Sequence, residues 1–389
     1  MTSMAGTVRT ALILGGGVGG VVAANRLRKL LPRTDRVVLF DREAYHLFQP
    51  SLLWLAVGWR EADGIRRRLD RLRRKGIEVV TAEVTRIDPS TRTVTAGGTA
   101  FTGDAMIVAL GADLDPDAIP GLSASGHNLY TLDGASAIRS AVESITSGRI
   151  VVLTAAPAYK CPAAPYEGAL LIDGALRRRG VRDAVQVELY AAEPGPMGVA
   201  GPDVSAAVRG LVESKGIAYH PEHQVTSVDS AARRLNFANG ATATFDILAY
   251  VPPHRAPSVV RNAGLTNETG WISVDRATMA TGVPGVFAIG DVTTIPLSIG
   301  KPLPKAGVFA HAQAEVVAAN IGHEWSAKGK RRAFDGHGQC FVETGDGRAG
   351  IGAGNFYGEP KPQVTLRSPS RIWHWAKVLF EKRWLAKWF

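Results

Sequence analysis

Cysteine is scarce in this chain. Among 389 residues, only Cys161 and Cys340 carry a thiol. Because no Cys/His spacing typical of a zinc finger occurs, we expect no metal centre. In a cytoplasmic protein, two lone cysteines are most simply inert buried thiols. The alternative is one redox-active pair that the fold brings together, and the position of the cysteines on two separate, unusual segments favours it. Composition alone leaves both interpretations open.

Long apolar runs and an export signal are also missing. No run approaches the roughly 20 residues that a spanning helix needs, so we expect no transmembrane segment. The chain reaches a glycine-rich motif almost at once, without the basic and apolar regions of a signal peptide. We therefore expect the protein in the cytoplasm. Its length is sufficient for two or three domains.

Acidic residues are outnumbered, with 35 Asp and Glu against 45 Lys and Arg, which gives a net charge of +10. Much of the excess lies in residues 64–78 and in the C-terminal tail. The simplest interpretation of residues 64–78 is a solvated, arginine-rich helix face. Because no helix-turn-helix or RNA-binding signature occurs, nucleic acid is not an expected partner.

Residues 10–41 predict a strand, a glycine-rich turn, a helix and a second strand. Gly15 permits the tight turn, Gly17 lets the backbone approach a pyrophosphate, and Gly20 allows the helix to pack closely on the strand. The helix N-terminus offers unpaired N–H groups to phosphate. Asp41, at the end of the second strand, is suited to accept hydrogen bonds from ribose hydroxyls. The pattern predicts a dinucleotide-binding site.

Two later segments indicate which dinucleotide is bound. Residues 104–113 predict an apolar strand that leads to Gly111. Residues 281–294 predict another strand, and it leads into Gly290 and Asp291. A glycine–aspartate pair at a strand end places an amide and a carboxylate against the ribityl chain and pyrophosphate of a flavin. The pattern therefore favours FAD, with capping of the following segment as the alternative role for Asp291.

A second glycine motif is missing where a nicotinamide cofactor needs one. Residues 149–192 predict a strand, a loop, a helix and a strand, which is the unit in which related enzymes bind NAD(P)H. Here the first strand runs into Thr154, two alanines and Pro157, and proline removes an N–H donor and fixes φ. The sequence therefore predicts that the electrons do not come from NAD(P)H. The same loop carries Cys161 instead.

Four segments carry a resemblance to a known family: KCPAAPYE (160–167), VPPHRAPSVVRNAGLTNETGWISVD (251–275), PKAGVFAHAQAEVVAANI (304–321) and GQCFVETGDGRAGIG (338–352). On these motifs the chain resembles the sulfide:quinone oxidoreductases and the related flavin subunit of flavocytochrome c sulfide dehydrogenase, over essentially its full length. The resemblance implies an α/β fold of the FAD-dependent pyridine nucleotide-disulfide oxidoreductase type, with two Rossmann-like dinucleotide-binding domains and a C-terminal membrane-associating region.

The expected domain division follows from the same resemblance. Residues 1–115 and 255–330 form a discontinuous FAD-binding domain. Residues 116–254 form the second Rossmann-like domain, without a glycine loop for NAD(P)H. Residues 331–389 hold the second redox cysteine and an amphipathic tail.

The resemblance also implies the chemistry. In this family, the cysteines that match Cys161 and Cys340 form a redox-active pair over the flavin, and a disulfide there takes up hydrosulfide by thiol–disulfide exchange. By this analogy, Cys340 keeps the sulfane sulfur while Cys161 passes two electrons to FAD. Lys305 matches a lysine near the flavin, where a cation stabilises the anionic N1–C2 region of the reduced ring.

Two further residues keep two interpretations each. Glu167 matches a family acid that handles protons at the sulfur site, or it caps the helix that starts near Gly168. His254 is a general base or a turn histidine, and the turn is favoured.

The chain also departs from some relatives. It lacks a third cysteine, which puts long polysulfide products in doubt, and it lacks a cysteine near residues 45–50, so FAD is expected to be bound non-covalently.

The tail RIWHWAKVLFEKRWLAKWF (371–389) is rich in tryptophan and in basic residues. It predicts a helix that lies in the membrane interface and is attracted to anionic lipid, at the inner face of the cell membrane. The alternative is a helix that packs on the protein body or at a dimer contact, so a homo-oligomer remains open. On a helical wheel one side, interrupted by Arg383, carries four residues: Ile372, Trp375, Leu379 and Ala386.

The aromatic side chains Phe341, Phe356 and Tyr357 flank the Cys340 region and predict a sandwich for a quinone ring, although core packing explains them nearly as well.

The sequence thus predicts a monotopic FAD enzyme that oxidises sulfide to sulfane sulfur or polysulfide and reduces a membrane quinone. Three alternatives are a sulfide dehydrogenase with a cytochrome acceptor, a type II NADH:quinone dehydrogenase, and a flavin-bearing redox sensor. The missing export signal counts against the first, and the missing glycine loop counts against the second.

Overall fold

The computed structural model describes residues 8–389. Its nine helices are α1 (Val18–Leu30), α2 (Leu52–Leu55), α3 (Leu122–Ser125), α4 (Leu132–Ser144), α5 (Ala164–Arg178), α6 (Pro202–Glu213), α7 (Ser258–Asn262), α8 (Gly307–Ser326) and α9 (Arg371–Trp388) within that range.

The strands run from β1 to β25 in chain order. They are β1 (Thr10–Leu14), β2 (Arg36–Asp41), β3 (Tyr45–Leu47), β4 (Arg66–Arg68), β5 (Glu78–Thr81), β6 (Val84–Asp88), β7 (Thr93–Ala96), β8 (Thr99–Thr102), β9 (Ala105–Val108), β10 (Asp113–Leu114), β11 (His127–Asn128), β12 (Gly148–Thr154), β13 (Val185–Ala191), β14 (Ala218–His220), β15 (Val225–Asp229), β16 (Arg234–Phe237), β17 (Thr242–Thr244), β18 (Ile247–Val251), β19 (His254–Arg255), β20 (Ile272–Ser273), β21 (Val286–Ala288), β22 (Thr293–Thr294), β23 (His337–Glu343), β24 (Ala349–Asn355) and β25 (Gln363–Ser370).

The first parallel sheet has the strand order β21-β9-β1-β2-β5. Strand β1 is an unbroken apolar run because the sheet is covered on both faces. Ala11 and Ile13 enter one core on one face, whereas Leu12 and Leu14 enter a second core on the other. Helix α1 follows β1 directly, and α8 packs against α1. The glycine turn between β1 and α1 therefore lies at the carboxyl edge of the sheet, where ligands bind in open α/β folds.

The second parallel sheet has the order β11-β18-β12-β13-β14. The predicted α/β class with two Rossmann-like units is therefore confirmed. Helix α5 begins at Ala164, earlier than the predicted start near Gly168, because Pro165 is tolerated in a first helical turn. The domain boundaries stay a prediction, although β21 joins the first sheet despite its distance along the chain.

The arginine-rich segment 64–78 forms the predicted solvated helix face only in part. Arg66–Arg68 forms a short strand, β4, that pairs antiparallel with β3. A 3-10 helix follows over Leu69–Lys75 and is anchored by the buried side chains of Leu69 and Leu72. Cross-strand pairing with Tyr45–Leu47 has overridden the local helical pattern.

The C-terminal region consists of the antiparallel sheet β23-β24-β25 and helix α9. Strand β23 contacts both α5 and α9. Ser370 starts α9 as its N-cap, because its hydroxyl accepts a hydrogen bond from the backbone N–H of Trp373 at 3.4 Å. Across residues 8–389, none of the helices combines the length and the apolar character that crossing a membrane requires.

Candidate functional site

The glycine turn after β1 has the geometry of a phosphate cradle. Gly15 has φ +107°, and a Cβ on Gly20 would lie 1.8 Å from the carbonyl oxygen of Gly15, so both positions require glycine. A Cβ on Gly17 would meet nothing within 4 Å, which leaves its backbone open to a ligand. Asp41 lies beside this turn, where its Oδ2 accepts from the N–H of Gly16 at 2.5 Å. Burial raises the pKa of Asp41.

The second predicted element is the turn at Gly290 and Asp291. Gly290 has φ +75°, and its N–H donates to Gln313 Oε1 at 2.7 Å. Asp291 Oδ1 is buried and has no hydrogen-bond partner within residues 8–389. Burial raises the pKa of this carboxyl group, while Lys160 and Lys305 oppose the rise. A buried, unsatisfied carboxylate oxygen is costly, so it marks a place for a donor such as a ribityl hydroxyl.

Gly111, beyond β9, also adopts a left-handed conformation with φ +70°, and nothing lies within 4 Å of a Cβ built there. A small pocket beside the Gly290 turn is lined in part by Lys305 and Phe309. Together with the open backbone at Gly17 and the orphaned oxygen of Asp291, these features fit a dinucleotide of the FAD type.

The fold brings the two cysteines together. Cys161 lies in the turn before α5, and Cys340 lies in the middle of β23, with both side chains partly buried. The interaction between the two cysteine side chains, together with burial, raises the pKa of Cys161 well above its usual value. The same interaction lowers the pKa of Cys340.

Cys161 has a strained backbone that several neighbours hold. Its φ of +50° is in the left-handed region. Its N–H donates to the carbonyl oxygen of Lys305 at 2.6 Å, and its own carbonyl oxygen accepts from the N–H of Ala164 at 2.9 Å. The hydroxyl of Tyr130 adds contacts at 2.7 Å to the Lys160 carbonyl and at 3.3 Å to that of Cys161.

Lys305 connects the cysteine turn to the Asp291 turn. Its Nζ donates to the carbonyl oxygens of Asp291 and Thr293 at 2.7 and 2.9 Å, and it lies 3.4 Å from the ring centroid of Trp271. Burial lowers the pKa of Lys305 to about 8. The family resemblance implies that Lys305 lies near the flavin. In the structure its backbone carbonyl contacts the Cys161 turn and its side chain contacts the Asp291 turn, and the role at the flavin stays a prediction.

Glu167, in the first turn of α5, is ion-paired with Lys377 of α9. Burial raises the pKa of Glu167 to about 7, even though Lys377 opposes the rise. Burial alone would lower the pKa of Lys377, but the carboxylates of Glu167 and Glu343 raise it. Glu343 in turn lies 3.0 Å from Nδ1 of His374. The carboxylate of Glu167 thus binds a lysine across the site instead of the amides of its own helix.

Sequence reasoning missed Lys377, Glu343 and His374. Lys377 and His374 lie in a tail whose basic residues indicated lipid, and Glu343 follows Cys340 in a strand of mixed composition. The one local signal was the presence of Lys377 on the side of the helical wheel opposite the apolar residues.

His254 lies in the two-residue strand β19 and pairs with Leu114, so the favoured interpretation as a turn residue is wrong. Its Nδ1 lies 2.8 Å from the carbonyl oxygen of Pro252, and its ring packs edge-on against Tyr130. Burial, with a further contribution from Lys160, lowers the pKa of His254 to about 4. The ring is therefore neutral at pH 7.

Of the three aromatic residues predicted to hold a quinone, only Phe356 and Tyr357 belong to the same cluster of rings. Phe356 packs edge-on against Phe309, and Tyr357 packs against Phe334. These four rings form one core cluster. Phe341 lies apart from it, partly buried on β23 beside Cys340. The quinone role of Phe341, Phe356 and Tyr357 stays a prediction, and the core-packing alternative describes the surroundings of the last two.

Helix α9 has one buried and one exposed face. Trp384 and Trp388 are buried, and Trp384 stacks on His46 with ring centroids 4.8 Å apart. The other face carries most of the large exposed apolar side chains of the described chain: Ile372 at 74% exposure, Trp375 at 66%, Leu379 at 46% and Phe380 at 44%. The helix therefore packs on the protein body and presents an apolar surface on its other face, while contact with a membrane stays a prediction.

Comparison with known proteins agrees with this geometry. The family model of the pyridine nucleotide-disulphide oxidoreductases matches residues 9–314. The sulfide-quinone reductase of Aquifex aeolicus (strain VF5) is 28% identical over 396 residues, which cover 97% of this chain and 90% of that protein. The mitochondrial sulfide:quinone oxidoreductase of Dictyostelium discoideum is 25% identical, over 87% of this chain and 75% of its own length.

Among solved structures, the X-ray structure of the sulfide:quinone oxidoreductase from Aquifex aeolicus superposes with a TM-score of 0.88 at 26% identity, and covers 98% of this chain and 91% of its own. A NAD-dependent persulfide reductase from A. fulgidus reaches a TM-score of 0.71 at 22% identity, over 89% of this chain and 64% of its own, and shares the fold.

Proposed function

Because the chain belongs to the pyridine nucleotide-disulphide oxidoreductase family, we propose that it is an FAD-dependent sulfide:quinone oxidoreductase. The observation that carries the proposal is the contact between Cys161 and Cys340 beside the Lys305–Asp291 turn. The similarity to sulfide-quinone reductases over nearly the whole chain supports the same activity.

FAD, when bound, supplies the two-electron acceptor that lies between sulfide and quinone. The chain holds this group by the backbone at Gly15, Gly17 and Gly20, by Asp41 on the adenosine side, and by Asp291 on the ribityl side. Gly111 leaves open space beside its backbone, and Gly290 turns the chain with φ +75°. FAD is held without a covalent bond, because the chain has no cysteine near residues 45–50 to form a covalent link to the flavin.

The cysteines perform the sulfur chemistry in their disulfide form. Hydrosulfide attacks the sulfur of Cys340, the bond between Cys340 and Cys161 breaks, and Cys161 leaves as a thiolate while Cys340 becomes a persulfide. A second nucleophile, such as hydrosulfide, then takes the outer sulfur of the persulfide as a short polysulfide, and Cys340 leaves as a thiolate. The two reduced cysteines hold the two electrons of the first sulfide, which bound FAD would accept and pass to the quinone as the disulfide re-forms. The product is sulfane sulfur or a short polysulfide.

Glu167 and Lys377 manage protons and charge at the pair. Oxidation of hydrosulfide to sulfane sulfur releases one proton, and reduction of a quinone takes up two. Glu167, whose pKa lies at about 7, is suited to exchange protons at physiological pH. Lys377 stabilises its carboxylate form. Lys305 supplies a further positive charge near the flavin.

The C-terminal helix supports attachment to a membrane that contains the quinone. The exposed side chains Ile372, Trp375, Leu379 and Phe380 suit the boundary between headgroups and acyl chains, and the neighbouring basic residues suit anionic lipid. The proposed location is the inner face of the cell membrane, and the division into an FAD-binding domain, a second Rossmann-like domain and residues 331–389 belongs to the same proposal.

The test compares electron donors and acceptors. Under anaerobic conditions, sulfide is expected to bleach the flavin absorbance rapidly, while NADH does so orders of magnitude more slowly, because the 154–157 loop lacks glycine. A soluble quinone then restores the absorbance, and cytochrome c does not. Equal rates with NADH would indicate an NADH:quinone dehydrogenase, and no bleaching with either donor would exclude sulfide oxidation.

A further inference from the structure

The loop that carries Cys161 is strained at two positions. Ala158 has φ +68° and Cys161 has φ +50°, both in the left-handed region that side chains with a Cβ rarely adopt. The loop joins Thr154, the last residue of β12, to Ala164, the first residue of α5. Strained residues persist only where their surroundings fix them. The contacts of Cys161 with Lys305 and Tyr130 fix one side of the loop.

Glu193 fixes the other side. Its carboxylate accepts three side-chain hydrogen bonds: from Thr154 Oγ1 at 2.7 Å, from Tyr166 Oη at 2.6 Å, and from Tyr159 Oη. Thr154 and Tyr166 are fully buried, and Tyr159 is nearly so. Thr154 precedes the loop, Tyr159 lies two residues before Cys161, and Tyr166 lies in the first turn of α5. One carboxylate thus binds the beginning, the middle and the end of the segment.

The place of Glu193 in the fold is informative. It comes two residues after β13, the second strand of the second Rossmann-like unit. In the first unit, Asp41 ends the second strand, where an acid receives ribose hydroxyls in dinucleotide-binding folds. The second unit also has an acid at this place, Glu193, but its carboxylate accepts hydrogen bonds from hydroxyl groups of the same chain. Its hydrogen-bonding capacity serves the cysteine loop instead of a nucleotide.

We infer that Glu193 is a positioning residue that holds the strained loop so that the sulfur of Cys161 meets that of Cys340. The inference rests on the proposed function only where sulfide is used as a probe. It concerns the geometry of two thiols, which an oxidant can test without sulfide.

The matched control is Glu188, which lies on β13, five residues before Glu193. Its Oε2 accepts from the hydroxyl of Tyr190 at 2.7 Å, and its Oε1 lies 2.9 Å from Nε of Arg149. Glu188→Gln therefore weakens a comparable tyrosine–glutamate contact nearby in the chain. Glu193→Gln keeps the side-chain shape and removes the charge that strengthens the three hydrogen bonds.

The experiment adds diamide to the reduced holoenzyme and follows the Cys161–Cys340 disulfide by mass spectrometry of non-reduced peptides. Two thiols lose two electrons and two protons to diamide, which becomes the hydrazine. We expect Glu193→Gln to slow closure of the disulfide by about tenfold or more. The weakened hydrogen bonds would no longer hold one strained backbone position of the loop in the conformation that brings the two sulfurs together. Glu188→Gln is expected to close at the wild-type rate. Tyr159→Phe, which removes one of the three hydroxyls, is expected to lie between wild type and Glu193→Gln and serves if the latter does not fold.

Stopped-flow data provide the second readout. Flavin reduction by sulfide should fall in Glu193→Gln in step with disulfide closure, while reoxidation of dithionite-reduced flavin by a soluble quinone stays unchanged. Closure in both Glu193→Gln and Tyr159→Phe within twofold of wild type would overturn the inference, as would an equal loss in Glu188→Gln. A wild-type enzyme that closes its disulfide but does not react with sulfide would contradict the proposed function and leave the role of Glu193 supported by the diamide result.

Discussion

Lys377 of the C-terminal helix is paired with Glu167, which lies 210 positions earlier in the chain and six residues after Cys161. Only 8% of the lysine side chain and 5% of the glutamate side chain are exposed. A residue of the predicted membrane tail therefore sets the charge beside the cysteine pair. Deletion of the tail would remove Lys377 together with the buried Trp384 and Trp388, so point substitutions test the two functions of the helix better than truncation does.

Replacement of Lys377 by methionine should destabilise the protein by about 3–5 kcal/mol, because it leaves the buried carboxylate of Glu167 without its partner. The measurement is chemical denaturation of the holoenzyme. The control is the double variant Lys377→Met/Glu167→Gln, which removes both charges and should recover much of the loss. A double variant less stable than the single one would show that the pair is not the source of the effect.

The stability of the protein should also depend on pH through Glu167. Its pKa is raised from 4.5 to about 7 in the folded chain, mainly by burial. The folded state therefore holds more protons than the unfolded state between these values, and this contribution to stability falls as pH rises from about 4.5 through about 7. Across that range, the free energy of unfolding should change more with pH in the wild type than in Glu167→Gln. Identical pH profiles would contradict the raised pKa.

Serine at either cysteine should abolish sulfide-driven quinone reduction while the protein keeps FAD. The cofactor contacts come from the segments around Gly17, Asp41 and Asp291, and none of these includes a cysteine. The measurements are steady-state turnover and the flavin absorbance of the purified variants. A Cys161→Ser enzyme with near wild-type turnover would mean that the pair is structural, and loss of flavin from either variant would mean that the cysteines support the cofactor site.

Substitution of the exposed face of α9 should weaken membrane binding and leave the sulfur site intact. Trp375→Gln combined with Phe380→Gln removes two large exposed rings, and we expect vesicle affinity to fall by about tenfold or more. Wild-type binding should be tighter to anionic than to neutral vesicles and partly sensitive to salt.

The measurement for the helix is vesicle co-sedimentation, with flavin reduction by sulfide as the internal control. Equal sedimentation of wild type and the double variant would place the membrane contact elsewhere on the protein. Slower flavin reduction in the variant would mean that the exposed face is coupled to the Glu167–Lys377 pair.

The sequence predicted well wherever the signal is local. The strand–turn–helix–strand unit over residues 10–41 was recognisable because glycine spacing and an apolar run report directly on backbone geometry. The sequence pattern predicts a start of α5 that is too late, because Pro165 is tolerated in a first helical turn. Over Arg66–Arg68 the local pattern predicts a helix, but these residues pair with Tyr45–Leu47, which lies about twenty residues away in the chain.

The contacts between distant segments were the harder part. Two cysteines could be paired through the family resemblance, but the Lys377–Glu167 pair has no signature in either local sequence. The same holds for Glu193, whose three partners are spread over residues 154–166. Buried polar groups find partners wherever the fold provides them, so spacing along the chain does not reveal them.

The order in which the ribosome releases the chain gives the Glu167–Lys377 contact another consequence. Domains fold as units during synthesis, beginning with those nearest the N-terminus. Cys161 and Glu167 leave the ribosome well before Cys340 and Lys377. Until the later segments have emerged, the sulfur site lacks both its second thiol and its buried cation. A nascent chain that exposes only the segment around Cys161 therefore cannot perform the sulfur chemistry.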